Sequence, residues 1–266
     1  MELLSNKRIF IKIGGSFITD KSRTDSFKQE RVRTIARAIR GLRSLAEPDI
    51  VLAHGAGAYG HIKAKFYNAQ QGIHPEYGWR GFYEIRREMT QMNLEFVKIC
   101  LEEGLNAVTV QPSAIITAAG GNVISVNAAV ISRLLDLGQI PVLHGDIVVD
   151  DEQGFTIAST EDILTALVEK MHLSSVVMIS DVPGVLDESG EVIPEINPEN
   201  YETVMRHLGG AKAADVTGGM RDKVKQLYQL IRSGKIKSAN IISSNDDPEF
   251  MIEVLTHRRL SGTVIR

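Results

Sequence analysis

Lys12 stands in an otherwise apolar run, Ile9-Phe10-Ile11-Lys12-Ile13, directly ahead of Gly14-Gly15-Ser16. A lysine in such a strand loses hydration on burial, so it needs a snorkelling path or an anionic partner. Glycines that end a strand let a ligand approach the backbone, and peptide N–H groups at a following helix start favour anions. The pattern recurs. Gly55-Ala56-Gly57 follows DIVLAH, Gly145-Asp146 follows IPVLH, and Gly218-Gly219 opens a late helical segment containing Lys223. Lys21 stands a few residues beyond the first turn. Singly, each glycine pair reads as a tight turn, and Lys21 or Lys223 as a solvated charge. Together they point to a site that handles phosphate groups.

Two common nucleotide sites are excluded by spacing. GAGAYG at 55–60 resembles a loose dinucleotide fingerprint, but no acidic residue ends the next strand about 20 residues on. There is no GxxxxGK[ST], which excludes a Walker-type NTPase.

The elements that carry these residues alternate. Strands are expected at 8–13, 49–54, 106–111, 140–144, 175–180, 238–243 and 262–265. Helical spacing covers 27–45, 79–103, 161–171 and 217–233. Continuous apolar runs suit parallel strands covered on both faces. Strand–helix–strand order implies an α/β fold, a three-layer αβα sandwich with a mostly parallel central sheet. VVDDEQGFTIA, around Gly154, suggests a hairpin. In an open parallel sheet, ligands collect at the carboxyl ends of the strands, where the glycine turns fall.

Composition sets the frame. The chain has 266 residues, 43% apolar and 24% charged, with formal net charge -3. No linker or repeat divides it, so one domain over 1–266 is expected. The mixed charge does not favour nucleic acid or an anionic membrane as partner. No apolar run reaches the ~20 residues of a membrane span, and a cytoplasmic protein is expected. The single cysteine, Cys100, lies in a helical pattern and reads as a buried structural thiol.

KIGGSFITDK, HGAGAYGH, HGD, DVTGGMRDK and a terminal GTVI, in that order, resemble the amino acid kinase superfamily. They are most similar to its isopentenyl phosphate kinase branch, over nearly the whole chain. His61, which closes the HGxGxxGH motif, selects that branch. The resemblance implies ATP-dependent phosphorylation of isopentenyl phosphate in isoprenoid biosynthesis, with Mg²⁺ as cofactor and a homodimer as the working form. It places the acceptor phosphate on His61, with Gly60 in the same motif and backbone N–H groups of Ala56 and Gly145. It places the nucleotide phosphates on Lys12, Gly14, Gly15, Ser16, Gly57, Asp181, Gly219 and Lys223.

A phosphate acceptor is already an oxyanion nucleophile, so alignment and charge neutralisation carry the chemistry. Lys12 is expected to stabilise the transferring group, Lys21 and Lys223 the donor phosphates, and Asp146 to orient Lys12. An apolar pocket for the acceptor's tail is expected among Ile62, Phe82, Ile85, Ile115 and Ile116. The sequence departs from the family pattern at Ser180–Gly184 (SDVPG for TDVDG), at Ser159-Thr160-Glu161 (for SGD) and at Ser244-Asn245 (for NG). The alternatives are a kinase for another phosphate or phosphonate such as fosfomycin, an acyl-phosphate-forming kinase, and a catalytically silent nucleotide-binding module.

Overall fold

The apolar runs that end in glycine pair side by side in the computed structural model, which describes residues 8–20, 23, 26–209, 214–244, 247–256 and 261–266. In chain order these are β1 (Arg8–Ile13), α1 (Gly15–Ile18), α2 (Gln29–Ala46), β2 (Asp49–His54), α3 (Gly57–Phe66), α4 (Arg80–Glu102), β3 (Ala107–Thr109) and α5 (Pro112–Ile115). The hairpin β4 (Ile116–Ala119) and β5 (Asn122–Val126) follows, then α6 (Ala129–Asp136) and β6 (Ile140–His144). A second hairpin is β7 (Asp146–Asp150) and β8 (Gly154–Ala158). The chain continues through α7 (Thr160–Val168), β9 (Ser175–Ser180), β10 (Glu195–Ile196), α8 (Tyr201–Leu208), α9 (Ala214–Arg232), β11 (Ser238–Ser243), α10 (Pro248–Leu255) and β12 (Thr263–Ile265).

Eight strands form the main sheet in the order β10-β12-β11-β9-β1-β2-β6-β3, with only the β11–β12 pairing antiparallel. Side chains alternate across it with the period of two that strands impose. Ile9, Ile11 and Ile13 pack with Leu52 and Ile179 against α2, α4 and α10. Phe10 packs with Val51, Ala53 and Met178 on the opposite face, against α6, α7 and α9. This is the expected three-layer arrangement. Lys12 shares the parity of Phe10, so β1 directs its side chain to the α7 and α9 side.

The four smaller strands form a second sheet, β5-β4-β7-β8. Asp150 ties its two hairpins together, because its carboxylate accepts the N–H groups of Gly120 and Gly121 as well as those of Glu152 and Gln153. Helix α7 starts at Thr160 because Ser159 and Asp162 form a reciprocal capping box. Helices α3, α6, α8 and α10 and the β4–β5 hairpin are additions to the elements expected from periodicity. Among the described residues, no helix is long and apolar enough to cross a membrane.

Candidate active site

Three neighbouring strands end on a shared device. The Gly14 N–H donates to Ile179 O at 2.8 Å, the Gly55 N–H to Ile13 O at 2.9 Å and the Gly145 N–H to His54 O at 3.1 Å. Each glycine therefore extends its neighbour's hydrogen-bond ladder by one step. This corrects one expectation: the Gly145 N–H is engaged by the sheet and does not point at an acceptor. The Ala56 N–H lies one residue beyond its ladder-forming glycine, at the cleft.

The first two turns touch. A Cβ on Gly15 would lie 2.2 Å from the Gly57 nitrogen, a backbone atom that cannot swing aside. Gly57 itself has φ +52°, and a Cβ there would meet the Thr19 hydroxyl at 2.4 Å. Thr19 is buried and locks the pair, donating from Oγ1 to Gly15 O at 2.8 Å and accepting the Ala58 N–H at 3.0 Å. It thus supplies the cap that α3 lacks from its own sequence. Nothing in the sequence reading marked Thr19, although it lies within KIGGSFITDK.

Over these turns lies a cleft of about 870 Å³. Lys12, Gly14, Gly15, Ser16, Ala56, Gly57, Gly60, His61, Gly145, Asp146, Gly219 and Lys223 all line it, so the fold gathers residues more than 200 positions apart. Asp181 is exposed and does not line the cleft, but it accepts from the Ser16 and Ser180 hydroxyls, each at 3.3 Å. Lys21 and Asn245 lie outside the described residues.

The carboxylate that meets Lys12 comes from α7. Lys12 Nζ and Glu161 Oε1 form an ion pair with side chains only 8% and 18% exposed. Burial alone would raise the Glu161 carboxyl. The Lys12 ammonium, the Thr160 hydroxyl and the charge of Lys223 outweigh it and hold Glu161 below the usual carboxylate range. Gln226 anchors α9 to the same helix start, donating to Glu161 O at 2.9 Å and to Thr165 Oγ1 at 2.7 Å. Lys223 and Glu161 are thereby carried on one support.

Asp146 does not orient Lys12. Its Oδ2 instead accepts from Gln111 Nε2 at 2.7 Å and from the Ser113 N–H at 3.1 Å, at the start of α5. Strand β7 aims it there, while β1 and α7 converge elsewhere. Burial raises its carboxyl against these hydrogen bonds, and its Oδ1 is buried without a protein partner. The sequence signal for Glu161 was the STE departure, which puts a longer carboxylate where the family pattern has aspartate.

Beside His61 the cleft turns apolar, lined by Ala64, Ile85, Met89 and Ile157. Of the expected tail-pocket residues, Ile85 is present. Phe82 packs against Trp79 and Phe155 instead, and Ile62 is 37% exposed on α3. Ile115 and Ile116 belong to the core on the Phe10 face and do not line the cleft. Met89 and Ile157 take that place. Gly60 keeps α3 close to α4, since a Cβ there would lie 2.9 Å from Met89 Sδ.

Two buried histidines underlie the turns. His54 and His144, partners in the β2–β6 register, stack with ring centroids 5.5 Å apart. Burial pushes His54 down to about 3, with His144 beside it lowering it further, and burial pushes His144 down to about 4. Both rings are neutral at ordinary pH.

One end of the cleft therefore offers ammonium groups and backbone N–H groups to polyanions. The other offers a histidine followed by an apolar wall. The described residues contain no group of three or more His, Cys, Asp or Glu side chains arranged to hold a metal ion.

The architecture and site define a kinase of the α/β class, and the chain belongs to the amino acid kinase family, whose model matches residues 7–239. Within the family it sits with the isopentenyl phosphate kinases. It is 32% identical to the isopentenyl phosphate kinase of Methanocaldococcus jannaschii over 85% of this chain and 87% of that one. It is 33% identical to that of Haloferax volcanii over 84% and 88%. A crystal structure of an isopentenyl phosphate kinase superposes with a TM-score of 0.79 at 25% identity, covering 97% of this chain and all of the other. A product complex of the Thermoplasma acidophilum isopentenyl phosphate kinase superposes with a TM-score of 0.75 at 25% identity, covering 98% and 100%.

Proposed function

We propose that this protein transfers the γ-phosphoryl group of ATP to isopentenyl phosphate, giving isopentenyl diphosphate and ADP. The observation that carries the reading is the junction within one cleft. The lysine and glycine end meets His61, and beyond His61 lie Ile85, Met89 and Ile157. A donor triphosphate, an acceptor phosphate and a short hydrocarbon tail fit that order. Relatives matched along most of their length carry the same activity in their names.

An oxygen of the acceptor phosphate attacks the γ-phosphorus, and the bond from that phosphorus to the β,γ-bridging oxygen breaks. The acceptor is already anionic, so no residue need remove a proton. Lys12 has three ammonium donors and gives one to Glu161, which fixes the rotamer and leaves two for the transferring group. Stabilising charge on equatorial oxygens that grows in the transition state is the role assigned to it. Lys223 and Lys21 are assigned to the donor phosphates, with Gly14, Gly15, Ser16, Gly57, Gly219 and Asp181 around them. His61, with the Ala56 N–H, is assigned to the acceptor phosphate. Mg²⁺, carried on the nucleotide, would neutralise phosphate charge there. A homodimer is the proposed working form, and light scattering checks it.

The test is ADP release with Mg-ATP across isopentenyl phosphate, dimethylallyl phosphate, fosfomycin, glutamate and UMP. Turnover of isopentenyl phosphate well above fosfomycin, glutamate and UMP is expected. Preference for fosfomycin or UMP would overturn the acceptor, and ATP binding with no turnover at all would overturn the enzyme.

A further inference from the structure

The first histidine of the HGxGxxGH motif takes no part in the transfer just described, yet it is fully buried directly beneath the turn that holds the acceptor. His54 Nδ1 lies 3.2 Å from Gly55 O. A carbonyl oxygen can only accept, so a hydrogen bond here requires the proton on Nδ1. The second nitrogen, Nε2, lies 3.1 Å from Asn93 Oδ1, an orientation that asks for the proton on Nε2, while Asn93 Nδ2 donates to Thr109 Oγ1 at 2.8 Å. An amide can present either its NH₂ or its oxygen. A neutral ring protonated on Nδ1 therefore satisfies both neighbours when Asn93 turns its NH₂ toward Nε2 and takes the Thr109 hydroxyl proton on its oxygen. The opposite tautomer leaves two acceptors facing each other at Gly55.

The geometry points to His54 as a positioning residue for the acceptor phosphate, acting through the Gly55–Ala56 peptide. In a trans peptide the carbonyl and the N–H point in opposite directions. Nδ1–H draws the Gly55 carbonyl inward, so the Ala56 N–H of the same peptide is held outward, at the cleft wall beside Gly145 and Gly60. The Gly55 N–H is fixed separately by Ile13 O, which leaves this peptide plane as the adjustable element of the turn. His144 makes the equivalent contact with Gly145 O at 3.0 Å, and the Gly145 N–H returns to His54 O. The two histidines thus brace one frame. The inference rests on the reading that the acceptor phosphate sits over Ala56 and His61.

The closing experiment compares wild type, His54→Asn and His54→Gln, measuring kcat and KM separately for isopentenyl phosphate and for Mg-ATP. Asparagine can put an amide N–H where Nδ1–H was, whereas glutamine puts it near the Nε2 position. His54→Asn is expected to keep the acceptor KM within about threefold of wild type. His54→Gln is expected to raise it about 10- to 100-fold, the worth of one hydrogen bond to a charged group, with the ATP KM unchanged. Equal acceptor KM values in the two variants, or acceptor and ATP KM values rising together, would overturn the positioning role. A wild-type protein inactive on isopentenyl phosphate would instead sink the acceptor reading, and this inference with it. The ¹⁵N shifts of the His54 ring in the wild-type protein give a check that needs no variant to fold: protonated Nδ1 with unprotonated Nε2 supports the inference, and the reverse tautomer refutes it.

Discussion

Acidification should destabilise this protein well before its carboxylates titrate, because the His54–His144 pair is buried neutral. Their pKa values lie at about 3 and about 4 in the folded chain, against 6.5 for the free side chain. A group whose folded pKa is depressed contributes full stability above the unfolded value. That contribution is lost as pH falls from about 6.5 toward the folded value, because the unfolded chain takes up protons the folded one refuses. At pH 5 each histidine costs about 2 kcal/mol relative to pH 7.5, so the pair costs about 4 kcal/mol, with a limiting slope of about 2.7 kcal/mol per pH unit. Against a typical total of about 5–15 kcal/mol, that is a large fraction. Asp146 works in the opposite sense: burial raises its carboxyl, so the folded chain gains a proton first and gains stability as pH falls. One such group against two histidines still leaves a net loss. Glu161, held below the usual range, stays ionised through this window and adds its loss only at lower pH.

The assay is urea unfolding followed by tryptophan fluorescence and circular dichroism at pH 7.5, 6.5, 6.0, 5.5 and 5.0. The unfolding free energy should fall steadily below pH 6.5. In a His54→Asn, His144→Asn double variant, most of that dependence should vanish. A wild-type stability that stays level from pH 7.5 to 5.0 would refute the neutral buried pair. A double variant that keeps the full slope would assign the protons elsewhere.

Glu161→Gln removes the partner of a buried ammonium, a change worth about 3–5 kcal/mol, so Tm should drop by roughly 6–20 °C in calorimetry. Glu161→Asp, one methylene shorter, should preserve more stability while lowering kcat; equal Tm losses in both variants would contradict the geometry. Gly219→Ala meets no atom within 4 Å on a helix, so the fold should be unchanged or stabilised by up to about 1 kcal/mol. If donor phosphates approach Gly219, its ATP KM should nevertheless rise, and an unchanged value would remove the residue from the nucleotide site. Cys100, buried and with its thiol pushed up to about 12, should resist thiol reagents in the native protein. It should react with one equivalent in denaturant, and rapid native labelling would contradict its placement.

Strands β1, β2, β6 and β9 were legible because each is a mainly apolar run, and Lys12 was conspicuous because it interrupts β1. The convergence of glycine turns followed from parallel topology, which puts the carboxyl ends of β1, β2 and β6 on one edge. Pairings between side chains were not legible. Periodicity told that Lys12 needs an anion, and the expectation fell on Asp146; Glu161 was missed because the choice depends on which face β1 turns toward α7. The direction of Asp146 is fixed by the β7–β8 hairpin and α5, and no local pattern in HGD announces it. Short helices such as α3 escaped for a related reason. Gly57 at its start and Gly60 within it have poor helical propensity, and its cap comes from Thr19, 39 residues earlier in the chain.

The glycines at the strand ends serve two ends at once, and the structure separates them. Gly14, Gly55 and Gly145 give their N–H groups to neighbouring strands, so they cannot be phosphate donors. What Gly55 provides, with Gly15 and Gly57, is the absence of a side chain where the backbones of two turns meet. Donors for ligands must then come from the next peptides along, and those peptides need their own orientation. A sheet edge alone cannot give it, because its last ladder bond is already used. Buried side chains beneath the turn can, and the residues that occupy that place beneath Gly55 and Gly145 are the paired histidines. Their neutrality follows from the same requirement. A protonated ring would bring positive charge into the apolar core beside Phe96 without a counter-ion, whereas a neutral ring supplies the one N–H that the carbonyl needs.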